Sequence, residues 1–103
     1  MDSQLLKGTL EMCVLHTLSD GALYGYEIMK IIQRVIPEVY DGSIYAVLRR
    51  LHAAGYTQIF WQESTGGPPR KYYQLTDMGR KRLLETRDNW RSLQLAVQKL
   101  GMA

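Results

Sequence analysis

Apolar side chains recur along this chain in distinct rhythms, and the rhythms define its elements. Between Leu5 and Leu18 the residues Leu5, Leu6, Leu10, Met12, Cys13, Val14, Leu15 and Leu18 are apolar on more than one side of a helix. Such a helix has to be covered on several faces, here by the domain core on one side and a second subunit on another. Ser19-Asp20-Gly21 ends it, with Gly21 as a left-handed terminator. A second helix runs from about Tyr24 to Val35 with Tyr26, Ile28, Met29, Ile31, Ile32 and Val35 apolar, and Pro37 forces its end. Asp41 is placed to cap a third helix whose core stripe is Ile44, Val47, Leu48 and Leu51, with Gly55 closing it. Three helices with short joints predict a helix-turn-helix core.

From Thr57 the period changes to two. Ile59 and Trp61 alternate with Gln58, Phe60 and Gln62, Ser64 to Pro69 makes a turn, and Tyr72-Tyr73-Gln74-Leu75 returns as a second strand. The aromatic rings of Phe60, Trp61, Tyr72 and Tyr73 are expected to pack this hairpin against the helices. Thr76 caps the last helix, in which Leu83, Trp90 and Val97 form one seven-residue series and Thr86, Leu93 and Leu100 the other. That spacing is a two-stranded seam, too short to hold alone and sufficient beside the apolar first helix of a partner. The expected fold is mainly α with a small β-hairpin (α+β). Residues 1–76 form a winged helix-turn-helix and residues 77–103 a C-terminal dimerisation helix, together one compact unit.

Charge changes the picture more than bulk composition does. Hydrophobic content of 46% and charged content of 22% are ordinary for a folded domain. The net charge is only +3, but between residues 42 and 82 seven basic residues (Arg49, Arg50, Arg70, Lys71, Arg80, Lys81 and Arg82) face two acids, Glu63 and Asp77. A positive middle suits a phosphate-facing surface, although Arg80 to Arg82 equally serve to solvate the start of a helix. The single Cys13 forms no intrachain disulfide and reads as a small buried thiol. No export signal is recognised and no apolar run is long enough for a bilayer, so a cytoplasmic location and no membrane partner are the expectation.

On the third helix the face opposite the core stripe carries Ser43, Ala46, Arg49 and Arg50, with Tyr45 beside them. Small and hydroxylated residues let a helix approach base edges, while Arg49 and Arg50 reach a phosphate or fork onto guanine. Arg70 and Lys71, just after the hairpin turn, supply salt-dependent affinity for a duplex backbone, and charges there also guard an exposed strand edge. Tyr24, at the amino end of the second helix, is expected to add a phosphate contact. Catalysis finds no support: His16, His52 and Cys13 complete no four-ligand metal site, and Gly66-Gly67 precedes proline rather than a helix. No enzyme activity and no cofactor are expected.

Four stretches together resemble the PadR family of transcriptional regulators. They are Leu5-Leu6-Lys7-Gly8-Thr9-Leu10-Glu11, then Leu23-Tyr24-Gly25-Tyr26-Glu27-Ile28, then Gly42-Ser43-Ile44-Tyr45 with Leu48-Arg49-Arg50-Leu51, and Gly66-Gly67-Pro68-Pro69-Arg70-Lys71-Tyr72-Tyr73-Gln74-Leu75-Thr76 with Gly79. The resemblance implies a homodimeric repressor on a palindromic operator in double-stranded DNA, of the short type with a single C-terminal helix. In some short members a tryptophan of that helix pairs across the dimer and sandwiches planar, often cationic, drugs. Trp90 stands at the matching place, with Leu5, Gly8 and Met12 implied in the same cavity and Leu93 and Val97 along the same interface. This makes a planar aromatic effector a candidate partner. Ala46 replaces a proline common in relatives, and Arg87 and Arg91 beside Trp90 disfavour a cationic ligand unless Glu11 or Asp88 offsets them. A winged-helix module that binds proteins, or a ligand sensor without an operator, is the alternative to be distinguished.

Overall fold

The computed structural model describes residues 1–102 as four helices and a three-stranded antiparallel sheet. Helix α1 (Ser3–Thr17) begins two residues before the first leucine because Asp2 accepts the Gln4 backbone N–H at 2.8 Å. A short strand β1 (Leu23–Tyr24) comes next and leads directly into α2 (Gly25–Val35). Helix α3 (Asp41–Ala53) precedes the hairpin β2 (Thr57–Gln62) and β3 (Arg70–Leu75), and α4 (Asp77–Lys99) closes the chain. The sheet order is β1-β3-β2, with Leu23 opposite Tyr73 and Ile59 opposite Tyr73 from the other side. This is the winged helix-turn-helix expected from the sequence, followed by a long helix. No described helix is long and apolar enough to cross a membrane.

The core lies where α1, α2, α3 and the inner face of the hairpin meet. Val14, Leu15, Leu18, Ile28, Ile44 and Leu48 are fully buried, and Tyr73, Leu75 and Leu83 close the side toward the sheet and α4. The stripe Ile44, Val47, Leu48 and Leu51 is buried as its spacing requires.

Three local expectations are corrected. Asp41 does not cap α3: Tyr40 holds the cap position without a side-chain bond, and Asp41 Oδ1 accepts from Gln33 Nε2 at 2.6 Å. Gln33 also donates to the Val39 carbonyl at 3.0 Å, so one amide from α2 fixes the entry into α3. Trp61 and Phe60 do not pack against the helices, since they are 64% and 40% exposed, and Phe60 stacks on Tyr72 across the outer face of the sheet at 5.4 Å. Strand β3 begins at Arg70, two residues earlier than the aromatic run suggests, because Arg70 and Lys71 pair with Gln62 and Trp61.

Helix α4 is fastened at its start and bare at its end. Thr76 Oγ1 accepts from Gly79 N–H at 3.0 Å and donates to the Gly55 carbonyl at 2.7 Å, while the Thr76 N–H bonds the Tyr56 carbonyl at 3.1 Å. One threonine therefore joins the end of α3, the start of β2 and the cap of α4. Farther along, Arg82 forms a two-pronged ion pair with Glu11 at 3.3 and 3.4 Å, tying α4 to α1. Beyond Trp90 every residue through Lys99 is exposed except Val97. The radius of gyration is 15.1 Å, against about 13 Å for a compact chain of this length.

Candidate nucleic-acid interface

Helical geometry divides the exposed side of α3 into a centre and two flanks. Gly42, Ala46 and Arg49 occupy the centre, Tyr45 one flank, and Ser43 and Arg50 the other. Gly42, Ser43, Arg49 and Arg50 are exposed, and neither arginine forms an ion pair among the described residues. The small residues leave the backbone open to close approach and the two guanidiniums free for an external anion.

Tyr45 leans toward α2 and the wing. A methyl group placed on Gly25 would meet Tyr45 Cε1 at 3.1 Å, so glycine there makes room for the ring. Burial pushes the Tyr45 phenol above its usual range, with the Asp41 carboxylate adding to the effect, and it stays a neutral hydrogen-bond donor at physiological pH. Tyr24, Gly25, Tyr26, Tyr45, Trp61, Arg70, Lys71 and the wing turn share one open groove of about 580 Å³.

Arg70 and Lys71, read from the sequence as one cationic tip, point to opposite faces of the hairpin, as neighbours on a strand must. Arg70 lies over the Tyr24 ring at 4.6 Å, and Tyr24 in turn meets Tyr72 at 5.7 Å and Tyr26 at 6.1 Å. Lys71 lies on the inner face, 5.6 Å from the Tyr73 ring. The Tyr24 N–H donates to Glu27 Oε1 at 3.2 Å, which anchors the first turn of α2 behind the cation–π contact. Sequence reasoning passed over Tyr26 and Lys30, whose ammonium lies 5.1 Å from the Tyr26 ring, and over exposed Tyr40 at the mouth of α3. Their signal was available in the basic and aromatic character of the segments flanking α3.

The structure thus places Tyr24, Tyr45, Arg70 and Lys71 along one groove, the two cations on opposite faces of the hairpin, and sets Ser43 apart, in a separate hollow with Lys7, Glu38 and Tyr40, while Arg49 and Arg50 line neither. Of the basic run after β3, Arg82 is held by Glu11, which raises its pKa, and Arg80 reaches the Ser19 carbonyl at 3.5 Å. No group of three metal-ligating side chains occurs among the described residues.

On α4, Trp90 stands between two hollows. One, of about 230 Å³, holds Gly8, Met12, Thr86, Asn89 and Leu93. The other, of about 550 Å³, lies between α1, α2 and α4 and is lined by Met12, Cys13, His16, Ile31, Val35, Arg87, Arg91 and Gln94 among others. Leu5 is exposed at the start of α1 and lines neither hollow, nor does half-buried Val97. Glu11, expected as a counter-charge for Arg87 and Arg91, is engaged by Arg82 instead. Burial pushes the Cys13 thiol up, away from reactive thiolate chemistry.

Residues 14–85 match the Transcriptional regulator PadR-like family. The chain belongs to that family. The PadR-like regulator from Bacillus cereus is 35% identical, with 98% of this chain and 99% of that one covered at a TM-score of 0.86. A PadR-like transcription factor from Bacteroides fragilis is 36% identical over 95% of each chain, with a TM-score of 0.80. A PadR family regulator from Eggerthella lenta is 35% identical over 94% of this chain and 85% of that one, with a TM-score of 0.81. This PadR-family chain is accordingly a transcriptional regulator of the short form, not an enzyme, and DNA is the partner of its family.

Proposed function

We propose that the chain is a homodimeric repressor, with residues 1–76 binding a palindromic operator and residues 77–103 joining the two protomers. The observation that carries this reading is the exposed side of α3, where Arg49 and Arg50 form no ion pair among the described residues and Tyr45 opens onto the groove of the cationic wing. Ser43, Tyr45, Arg49 and Arg50 face a half-site, with Tyr24, Arg70 and Lys71 on the flanking backbone. Selection from a randomised duplex pool, followed by titration at two salt concentrations, tests it. Enrichment of a two-fold symmetric sequence with a steep salt slope supports the operator; no binding at low salt turns attention to a protein partner.

The bare distal half of α4 supports the dimer. Leu93 is 54% exposed and Leu100 85%, which a lone chain gains nothing from leaving in water. Leu93→Asp is expected to weaken self-association at least about thirtyfold in sedimentation equilibrium. A variant that sediments as wild type would move the interface elsewhere.

The hollows around Trp90 support release by an effector. A flat aromatic body fits an indole wall with apolar Met12, Ile31 and Val35 behind it, and Arg87 and Arg91 favour a negative substituent. In a Trp61→Phe background, where Trp90 is the remaining indole, an aromatic carboxylate is expected to quench fluorescence at concentrations at least about tenfold below those needed for an aromatic ammonium of the same size. The reverse order would reject the charge argument.

A further inference from the structure

Side chains along β2 alternate, so Thr57, Ile59 and Trp61 share the inner face of the hairpin. Thr57 is buried, Ile59 is half-buried, and Trp61 is 64% exposed. The hairpin outreaches the helical body on which it packs, and the third residue of the series is an indole with no core beneath it. Its register partner is Lys71, on the same face. Both open onto the groove that holds Tyr45 of α3 and the start of α2, so the indole lies along the Tyr45 flank of α3. Glu63 is the wing's only acid and is not part of that groove. The tip beyond is braced, with Gly66 at φ +75° and Ser64 Oγ donating to the Pro68 carbonyl at 2.7 Å.

We propose that Trp61 is a DNA-contacting residue of the wing, packing its indole against the deoxyribose edge of the minor groove while Lys71 meets the adjoining phosphate. The inference rests on the operator-binding reading of α3 and adds a contact of a different kind to it. A deoxyribose offers an apolar C–H surface between charged phosphates, which matches an apolar ring set beside a cation. The indole N–H is a donor, and the minor-groove edge of A·T pairs offers only acceptors. Groove width depends on sequence and sets where the sugar edge lies, so a ring packed on that edge adds a shape preference to the base-edge reading proposed for α3.

The experiment uses the full chain, the selected operator and a G·C-flanked version of it, with Trp61→Ala and Trp61→Phe. Operator is expected to change the wild-type indole emission, and Trp61→Phe to lose most of that change. Trp61→Ala should bind the operator about tenfold more weakly at fixed salt, with an unaltered salt slope and less preference for A·T flanks. Because the ring is exposed, its thermal midpoint should stay within a few degrees of wild type. Trp61→Ala binding with wild-type affinity overturns the proposal alone and leaves the operator reading standing. A variant that instead loses stability or changes oligomeric state makes Trp61 a packing residue and also overturns it. Failure of the wild-type chain to bind any duplex removes the operator reading and the proposal together.

Discussion

Arg49→Ala combined with Arg70→Ala is expected to weaken operator binding at least about a hundredfold at moderate salt. Arg49 stands at the centre of the exposed face of α3, and Arg70 is held over the Tyr24 ring, so the pair samples both the helix and the wing. In a dimer the double substitution removes four cations. If all four meet phosphates, the slope of log affinity against log salt becomes shallower by about three to four. The two single variants separate the roles. Loss of Arg70 should weaken operator and random duplex alike, whereas loss of Arg49 should cost the operator more if it forks onto a base. Unchanged affinity in the double variant, with its fold intact by circular dichroism, would exclude this face from the interface.

The largest expected effect on stability comes from Gly79→Ala. A Cβ on Gly79 would overlap the Tyr56 carbonyl oxygen and crowd Tyr56 C and Leu75 Cδ2 at 3.0 and 3.1 Å. The obstruction is backbone, and that carbonyl already accepts the Thr76 N–H, so relief requires the first turn of α4 to move and its cap to loosen. Overpacking plus a weakened cap costs about 3 kcal/mol. For a domain of this size that lowers the thermal midpoint by about 12–20 °C. Gly42→Ala provides the contrast: nothing lies within 4 Å of its Cβ position, and helix propensity should raise stability by up to about 1 kcal/mol. If the two variants melted alike, the close approach at Tyr56 would be refuted.

The apolar rhythm revealed the helices and the hairpin because burial enforces it: Ile44, Val47, Leu48 and Leu51 are all inside. The same logic misjudged Trp61 and Phe60, since alternation tells which face a strand residue takes and not how far the underlying body extends. Asp41 was misassigned for a related reason. Its identity suits a cap, but Gln33, eight residues earlier, claims the carboxylate, a tertiary contact that local pattern cannot reveal. Strand β1 is two residues long and exists only through pairing with Tyr72 and Tyr73, so no periodicity announces it. Within the candidate interface the residue types were legible, while the separation of Arg70 from Lys71 and the capture of Arg82 by Glu11 required the fold.

The Thr76 junction gives α4 the mechanics of a lever with a stiff fulcrum. Its 23 residues span about 34 Å, and the hydrogen bonds to Gly55 and Tyr56 leave little play where it meets the end of α3. A tilt of the whole helix by about 5° at that fulcrum, against the Arg82–Glu11 tie to α1, would carry the far end through about 3 Å. In the proposed dimer, a few ångströms of sliding at the distal end would in reverse rotate the winged-helix body of each protomer through a small angle, in opposite senses. If, as proposed, two protomers read one operator and an effector lodges near Trp90, gear ratio, more than contact chemistry, sets how far that molecule must push before the two heads fall out of step with the pitch of the double helix.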